Sequence, residues 1–285
     1  MLTGFYAGIS GILYNEQKLS AISNNTANIN TPGFRRTLVM MRSREEPSER
    51  SDVHHAVAKR TPKAFGIQRA GAFKDYSKTG KLQATGSDFD IAIPSELKNA
   101  FFAVRHPSAP QGKTYYTRNG TLSLGPADPS NPNSPTVLYL AGNILLDANN
   151  QPISIDASQG PMVIDIDGNI KQNDITIGEI PLYRLNKSAD ASIQIDSNLQ
   201  ALLQKGDSLF EIPEKFKQEF HPLRLTTGQK GIQRLVVQGM REGSNVNIFQ
   251  QLAEMMSTTK ASTANTTALK HQVEGLSKLF QIVRS

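Results

Sequence analysis

The 285-residue sequence contains no cysteine and no tryptophan. The absence of cysteine excludes disulfide bonds, zinc–thiolate sites and cysteine nucleophiles, so the fold does not depend on the redox state of its compartment. No basic residue precedes Lys18, which argues against a secretory signal peptide, and the apolar run there is shorter than the roughly 20 residues of a membrane span. We expect a protein that is not an integral membrane protein and that, if it leaves the cytoplasm, is exported without a cleaved signal peptide.

Motifs for catalysis and metal binding are also scarce. None of the five histidines has metal-ligand spacing to another. "DIDGN" at 165–169 has its glycine at the fourth position, whereas a calcium loop has it at the sixth, and "TGQKG" at 227–231 does not match a phosphate-binding loop. We predict no catalytic residues, no metal site and no cofactor, although the sequence alone leaves an enzyme possible.

The net charge of +6 is concentrated in one segment. Residues 35–81 hold 12 Lys and Arg against 5 Asp and Glu, a local net charge of +7. This segment is either a solvated linker or an electrostatic contact with an acidic partner surface. Its few aromatic residues and the lack of a binding motif argue against nucleic acid as a partner.

The first 28 residues have apolar side chains at helical spacing and predict an amphipathic helix. The helix should stop at "NTPG", because Pro32 cannot donate a helical hydrogen bond and Gly33 permits a chain reversal. Gly8 and Gly11 would allow close approach of another backbone. The alternative is that the N-terminal residues are frayed and have no functional role.

Short apolar runs broken by turn residues predict a β-rich domain from about residue 65 to residue 238. "TYYTRNGTLSL" at 114–124 predicts a hairpin that turns at Asn119-Gly120, and "MVIDIDGNIKQ" at 162–172 predicts one that turns at Asp167-Gly168. "GPADPSNPNSP" at 125–135 predicts a surface loop.

Helical periodicity returns between residues 247 and 284, where steps of three and four residues trace a heptad-like seam. The seam is apolar at both ends and mostly threonine in the middle, so the isolated helix should be marginal. Two such terminal helices most simply pair with each other and keep further faces for other copies. We predict an α+β fold in which paired, coiled-coil-like terminal helices flank a central all-β domain of short antiparallel strands.

The stretch "AISNNTANINTPGFRR" (21–36) resembles the N-terminal signature of the bacterial flagellar rod and hook proteins, the axial family of the basal body. "GKLQATGSDFDIAI" (80–93), "FFAV", "YYTRNGTLSL" and "VQGMREGSNVNIFQQLAEMM" (237–256) resemble further family segments in the expected order. "TTKASTANTTALK" departs from the family, because Ser262 and Thr263 replace its usual Tyr-Glu pair.

The resemblance implies a structural protein and not an enzyme. Family members are exported unprocessed by the flagellar type III apparatus and polymerise into a helical tube. The resemblance therefore implies a basal-body rod subunit in the periplasm that binds copies of itself, other axial proteins and the export apparatus. The long basic segment favours a proximal-rod subunit; a distal-rod or hook subunit, or a non-polymerising cap, scaffold or adaptor protein, is the alternative.

Four segments follow from these predictions: an N-terminal helix and signature turn at 1–34, a basic extended linker at 35–80, a β-rich outer domain at 81–240 and a C-terminal helix at 241–285. Basic side chains of the linker are predicted to contact neighbouring subunits or the surrounding envelope ring, namely Arg42, Arg44, Lys59 and Arg60. The predicted assembly contacts are Phe5, Gly8, Ile9, Ile12, Ser23, Asn24, Asn25, Asn28, Asn30, Gly33, Phe34, Asn245, Val246, Leu252, Met256, Asn265, Leu269, Val273, Leu276 and Phe280.

Overall fold

The computed structural model describes residues 2–42, 69–108, 113–128, 131, 134–156, 160–186, 202–206, 208–214, 221–228 and 232–284. The chain divides into two compact units. Unit 1 comprises Met1–Ala27, Thr37–Lys74 and Asn247–Ser285; unit 2 comprises Asn28–Arg36 and Asp75–Val246. The β-rich unit therefore includes the signature turn after the first helix, which was predicted to belong with the helices.

The described residues of unit 1 form two long helices and two strands: α1 (Leu2–Ala27), β1 (Thr37–Arg42), β2 (Arg69–Lys74) and α2 (Ile248–Arg284). β1 and β2 pair antiparallel, with Thr37 opposite Lys74 and Arg42 opposite Arg69. This strand pair lies within residues 35–80, which were predicted to be an extended linker, and was not predicted.

Each helix begins or ends at a local sequence signal. At the start of α2, the Asn247 side chain caps the helix, because its Oδ1 accepts hydrogen bonds from the Phe249 and Gln250 amides at 3.0 and 3.2 Å. α1 ends at Ala27, and the turn after it reaches Gly33, whose φ of 68° favours glycine. The predicted stop at "NTPG" is confirmed.

Unit 2 is built from short strands. They are β3 (Leu82–Ala84), β4 (Ile91–Ala92), β5 (Ala100–Arg105), β6 (Tyr115–Thr117), β7 (Leu122–Pro126), β8 (Thr136–Leu140), β9 (Asn143–Leu145), β10 (Met162–Ile164), β11 (Asn169–Gln172), β12 (Ile175–Glu179), β13 (Leu182–Asn186), β14 (Leu203–Lys205), β15 (Leu209–Glu211), β16 (His221–Leu225), β17 (Val237–Gln238) and β18 (Met240–Glu242). All pairings recorded between them are antiparallel, and the predicted α+β class is confirmed.

The largest sheet in the described part of the chain has nine strands with β5 at its centre, paired with β6, β9 and β13. Both faces of β5 are buried. Phe102 packs into the main aliphatic core with Leu138 and Leu145, while Phe101 packs edge-on against Phe210 with ring centroids 5.6 Å apart. The adjacent phenylalanines therefore hold together two separate cores of unit 2.

One predicted hairpin is confirmed and the other is wrong. β10 and β11 pair through a turn in which Gly168 has a φ of 87°. β6 and β7 do not pair with each other: β6 lies between β5 and β15, and β7 pairs with β8. Gly120 is needed for close approach, since a Cβ there would lie 1.6 Å from the Ile91 carbonyl oxygen. The segment at Asn119-Gly120 passes alongside Ile91 and does not reverse.

Candidate assembly interface

The helix pair of unit 1 is antiparallel, and glycines make it close. A Cβ on Gly8 would lie 2.7 Å from Leu269 Cδ2, and one on Gly11 would lie 2.8 Å from Asn265 Nδ2. As the residue number increases along α1, the number of the residue opposite it on α2 decreases, which shows that the two helices run antiparallel. The close backbone approach predicted for Gly8 and Gly11 is therefore an approach between α1 and α2 of the same chain.

Asn25 joins three elements of unit 1. Its Oδ1 accepts a hydrogen bond from the Thr37 amide at 2.7 Å, and its Nδ2 donates to the Thr37 carbonyl at 2.9 Å. Nδ2 also donates to Gln251 Oε1 at 2.9 Å. Asn25 and Gln251 are both buried, with relative exposures of 2% and 1%. A buried amide pair fixes the register of two helices, because any shift would leave buried polar atoms without partners.

α2 turns a largely polar face towards the interior of unit 1. Gln251 and Thr258 are its buried residues, and Asn265 and Leu269 are half-buried beside the glycines of α1. The apolar residues of the predicted seam lie largely on the exposed side: Phe249, Leu252, Met256, Val273 and Phe280 are 80, 47, 64, 51 and 73% exposed. The two helices of one chain therefore do not cover the seam.

The signature turn is held inside unit 2 by a buried ionic cluster. Arg35 Nη2 lies 3.0 Å from Glu242 Oε1, and Arg118 Nη2 lies 2.7 Å from Glu242 Oε2, with all three side chains fully buried. Arg118 also donates to the carbonyls of Leu97 and Ala100. Burial, together with the neighbouring Arg35 charge, lowers the pKa of Arg118 to about 10, and Glu242 acts against this shift. The cluster joins three of the quoted motifs.

Asn245 forms a second connection in unit 2. Its Oδ1 accepts a hydrogen bond from the Arg36 amide at 2.7 Å, and its Nδ2 donates to the carbonyls of Asp75 and Lys78 at 3.0 Å each. Burial would raise the pKa of Asp75, but hydrogen bonds from Ser77 and Arg36 outweigh it and lower that pKa. Asn245 therefore holds neighbouring segments of its own chain together.

The predicted contact residues differ in their exposure. Those on the surface are Ser23, Asn24, Asn30, Leu252, Met256, Val273 and Phe280. Those that are half-buried are Phe5, Gly8, Ile9, Ile12, Asn28, Asn245, Val246, Asn265, Leu269 and Leu276. Those that are buried are Asn25, Gly33 and Phe34. The buried set serves the fold of the single chain, and a role of the exposed set in assembly stays a prediction.

The basic segment is largely outside the described residues. Arg44, Lys59 and Arg60 fall there, and Arg42 is described only as the last residue of β1. In the part of the chain that the structure describes, no cluster of His, Cys, Asp or Glu is arranged to hold a metal ion. Within the same residues, neither helix has an apolar stretch long enough to cross a bilayer.

The residues that complete these clusters were not predicted from the sequence. Gln251, Arg118 and Glu242 all lie in or next to quoted motifs, at positions where a solvent-exposed residue was the simplest assumption. For Arg118 and Glu242 the available signal was that both are charged residues inside strand-like motifs, where such a side chain is buried only when it is paired.

The comparisons with known proteins agree along the whole chain. The model of the family described as "Flagella basal body rod protein" matches residues 5–35, which span most of α1 and reach the buried Arg35. The flagellar basal-body rod protein FlgF of Rhizobium meliloti (strain 1021) is 28% identical over 275 residues, covering 96% of this chain and 95% of the relative. The chain belongs to the flagellar basal-body rod protein family.

Other relatives of this rod protein carry similar names. FlgF of Mesorhizobium japonicum is 31% identical over 186 residues, covering 65% of this chain and 66% of the relative. The rod protein FlgG of Buchnera aphidicola subsp. Schizaphis graminum is 26% identical over 290 residues, covering 99% and 100%. The chain is thus a structural subunit of the flagellar basal-body rod, in a family that assembles with other rod and hook proteins and is not a family of enzymes.

Proposed function

We propose that this rod protein polymerises through its terminal helix pair into a helical tube that forms part of the flagellar drive shaft. The supporting observation is the exposed apolar seam of α2. Phe249, Leu252 and Met256 lie within two turns of one helix and are between 47 and 80% exposed. Bulky apolar side chains clustered on a surface mark a site of protein association, because covering them removes apolar area from water.

The relative lengths of the two helices support the same proposal. α1 has 26 residues and α2 has 37. With Asn25 opposite Gln251 and Gly8 opposite Leu269, the antiparallel register brings the start of α1 level with about residue 275 of α2. The remainder of α2 continues past α1 and carries Leu279 and Phe280, which are 46 and 73% exposed.

The rod position and the other partners are part of this proposal. The relatives named FlgF and FlgG are consistent with a proximal-rod subunit. Such a subunit lies in the periplasm, reaches it through the flagellar type III export apparatus without a cleaved signal peptide, and contacts the surrounding envelope ring through Arg42, Arg44, Lys59 and Arg60. Charge reversal at these four positions should impair rod assembly and swimming; normal motility of that variant would remove the basic contact from the proposal.

Polymerisation can be tested with the purified full-length protein. The double substitution Leu252→Asp and Met256→Asp places charge on the seam and should abolish the fast-sedimenting species in velocity ultracentrifugation, with an unchanged circular dichroism spectrum. Ile175→Asp is the matched control, because Ile175 is a 65% exposed apolar residue on β12 of unit 2. Assembly of the double variant at the wild-type protein concentration would contradict polymerisation through α2.

A further inference from the structure

The exposed threonines of α2 do not use their hydroxyl groups at the surface. The hydroxyls of Thr259 and Thr263 donate to the carbonyls of Met255 and Thr259 at 2.9 and 3.1 Å. Those of Thr266 and Thr267 donate to the carbonyls of Ser262 and Thr263 at 2.9 and 3.0 Å. A threonine whose hydroxyl bonds to the preceding turn leaves its methyl group as its outward-facing part.

These four threonines therefore form an apolar surface despite their polar composition. At 100° per residue they lie on the same side of α2 as Leu252 and Met256, and Lys270 is the next residue on that side. We call this surface, from Phe249 to Thr267, the threonine stripe. The methyl groups are short, so a partner helix can approach the stripe more closely than it could approach leucine.

The outer face of α1 has matching chemistry. Ser20, Ser23 and Ala27 are small and exposed on the side of α1 that also carries Glu16. Glu16 is the single acidic residue of α1 and is exposed. The stripe on α2 is flanked by Lys260 and ended by Lys270, both exposed. Small residues permit close packing against the methyl groups, and the charges at the edges have opposite signs.

We infer that the threonine stripe of α2 receives the outer face of α1 from a second copy of this chain. Within one chain the two surfaces cannot meet, because α1 and α2 already pack through their other faces at Asn25–Gln251 and Gly8–Leu269. A contact between two different surfaces of identical chains is heterologous, so it can continue from copy to copy without closing. This inference rests on the proposed polymerisation and specifies which surfaces meet.

Cross-linking tests the contact directly, and the natural absence of cysteine provides a clean background. Two full-length variants, Ser20→Cys and Thr263→Cys, are mixed under assembly conditions and oxidised, with a size tag on one of them. A disulfide-linked heterodimer is expected. Ser257→Cys replaces Thr263→Cys as the control, because Ser257 is exposed but lies about 120° around α2 from Thr263, outside the stripe. Polymers that form normally but give no more heterodimer with Thr263→Cys than with Ser257→Cys would overturn the inference while leaving polymerisation intact.

Threonine substitutions separate the methyl group from the hydroxyl group. The triple Thr→Val variant at positions 259, 263 and 266 keeps the methyls and should assemble at the wild-type concentration or below. The corresponding Thr→Ser variant keeps the hydroxyls and should raise the critical concentration by about tenfold or more. Ser257→Ala with Ala264→Ser makes equally small changes outside the stripe, about 120–140° around the helix from Leu252, and should have no effect. Equal assembly of the Ser and Val variants would contradict a methyl-lined contact.

A charge exchange provides an independent measurement and reports the direction of the contact. Glu16→Lys should weaken assembly, and a second substitution should restore it. Restoration by Lys270→Glu indicates antiparallel helices across the contact, and restoration by Lys260→Glu indicates parallel ones. If neither restores assembly, the assigned contact is wrong.

Discussion

The carboxylate of Glu242 is shared by two buried guanidinium groups, with Arg118 Nε donating to Oε2 at 2.8 Å and Arg35 Nη2 lying 3.0 Å from Oε1. Oε1 also accepts a hydrogen bond from the Gly80 amide at 3.0 Å. Removal of this carboxylate would leave two buried positive charges without compensation.

Glu242→Gln should therefore destabilise unit 2 by about 3–5 kcal/mol, because Arg35 and Arg118 lose their shared negative charge in the interior. Urea denaturation followed by circular dichroism measures the loss. Glu96→Gln, at an exposed acidic residue of the same unit, should change stability by less than about 0.5 kcal/mol. Similar midpoints for the two variants would show that the cluster is not important for stability.

The two adjacent asparagines of the signature should respond differently to alanine. Asn25→Ala removes three hydrogen bonds and should destabilise the helix pair by about 1–3 kcal/mol, because Gln251 and the Thr37 backbone lose their partner. Asn24 is exposed, so Asn24→Ala should leave the single chain folded and weaken assembly. Hydrogen exchange of α1 amides measures the first effect and sedimentation measures the second. Faster exchange in Asn24→Ala than in Asn25→Ala would reverse the assignment.

Lys74 should make the stability of unit 1 depend on pH under mildly alkaline conditions. Burial lowers the pKa of Lys74 from 10.5 to about 8, and its Nζ donates to Thr37 Oγ1 at 2.8 Å. Between these two pH values the unfolded chain binds more protons at this residue than the folded chain, so stability should rise with pH. Lys74→Met should remove this rise in urea titrations, and Lys81→Met, at an exposed residue, should keep it. A wild-type profile in Lys74→Met would contradict the assignment.

The same substitution should have opposite effects at two glycines of the helix pair. A Cβ at Gly275 meets nothing within 4 Å, so Gly275→Ala should stabilise α2 by about 0.5–1 kcal/mol through helix propensity alone. A Cβ at Gly8 would lie 2.7 Å from Leu269 Cδ2, so the Leu269 side chain must shift and Gly8→Ala should destabilise the helix pair. Thermal unfolding of the helices compares the two, and equal stabilisation would show that the close approach at Gly8 is unimportant.

The features that could be predicted from the sequence are those that depend on residues close to each other along the chain. The end of α1 follows from Pro32 and Gly33, and the turn at Gly168 is supported by Asp165, whose Oδ1 accepts the amides of Asp167 and Asn169 at 3.0 and 2.9 Å. These interactions lie within a few residues of the chain, so the local pattern contains the information they need.

Features set by distant segments were not predictable in this way. The Asn119-Gly120 pair has a hairpin composition, yet Gly120 accommodates Ile91 from another part of the chain. Periodicity identified the seam of α2 but could not show which face meets α1, because that choice depends on hydrogen bonds such as Asn25–Gln251. Helical periodicity reports only the spacing of apolar residues, so it contains no information on which polar side chains form hydrogen bonds between helices.

The contacts of the signature turn also determine when unit 2 can finish folding. Arg36 and Asn245 are 209 residues apart, and Arg118 and Glu242 are 124 apart. Contacts between such distant positions close late, because both ends of a long loop must be present first. A chain that lacks residues 240–246 would therefore leave the signature turn and Arg118 without these partners, however complete the rest of unit 2 is.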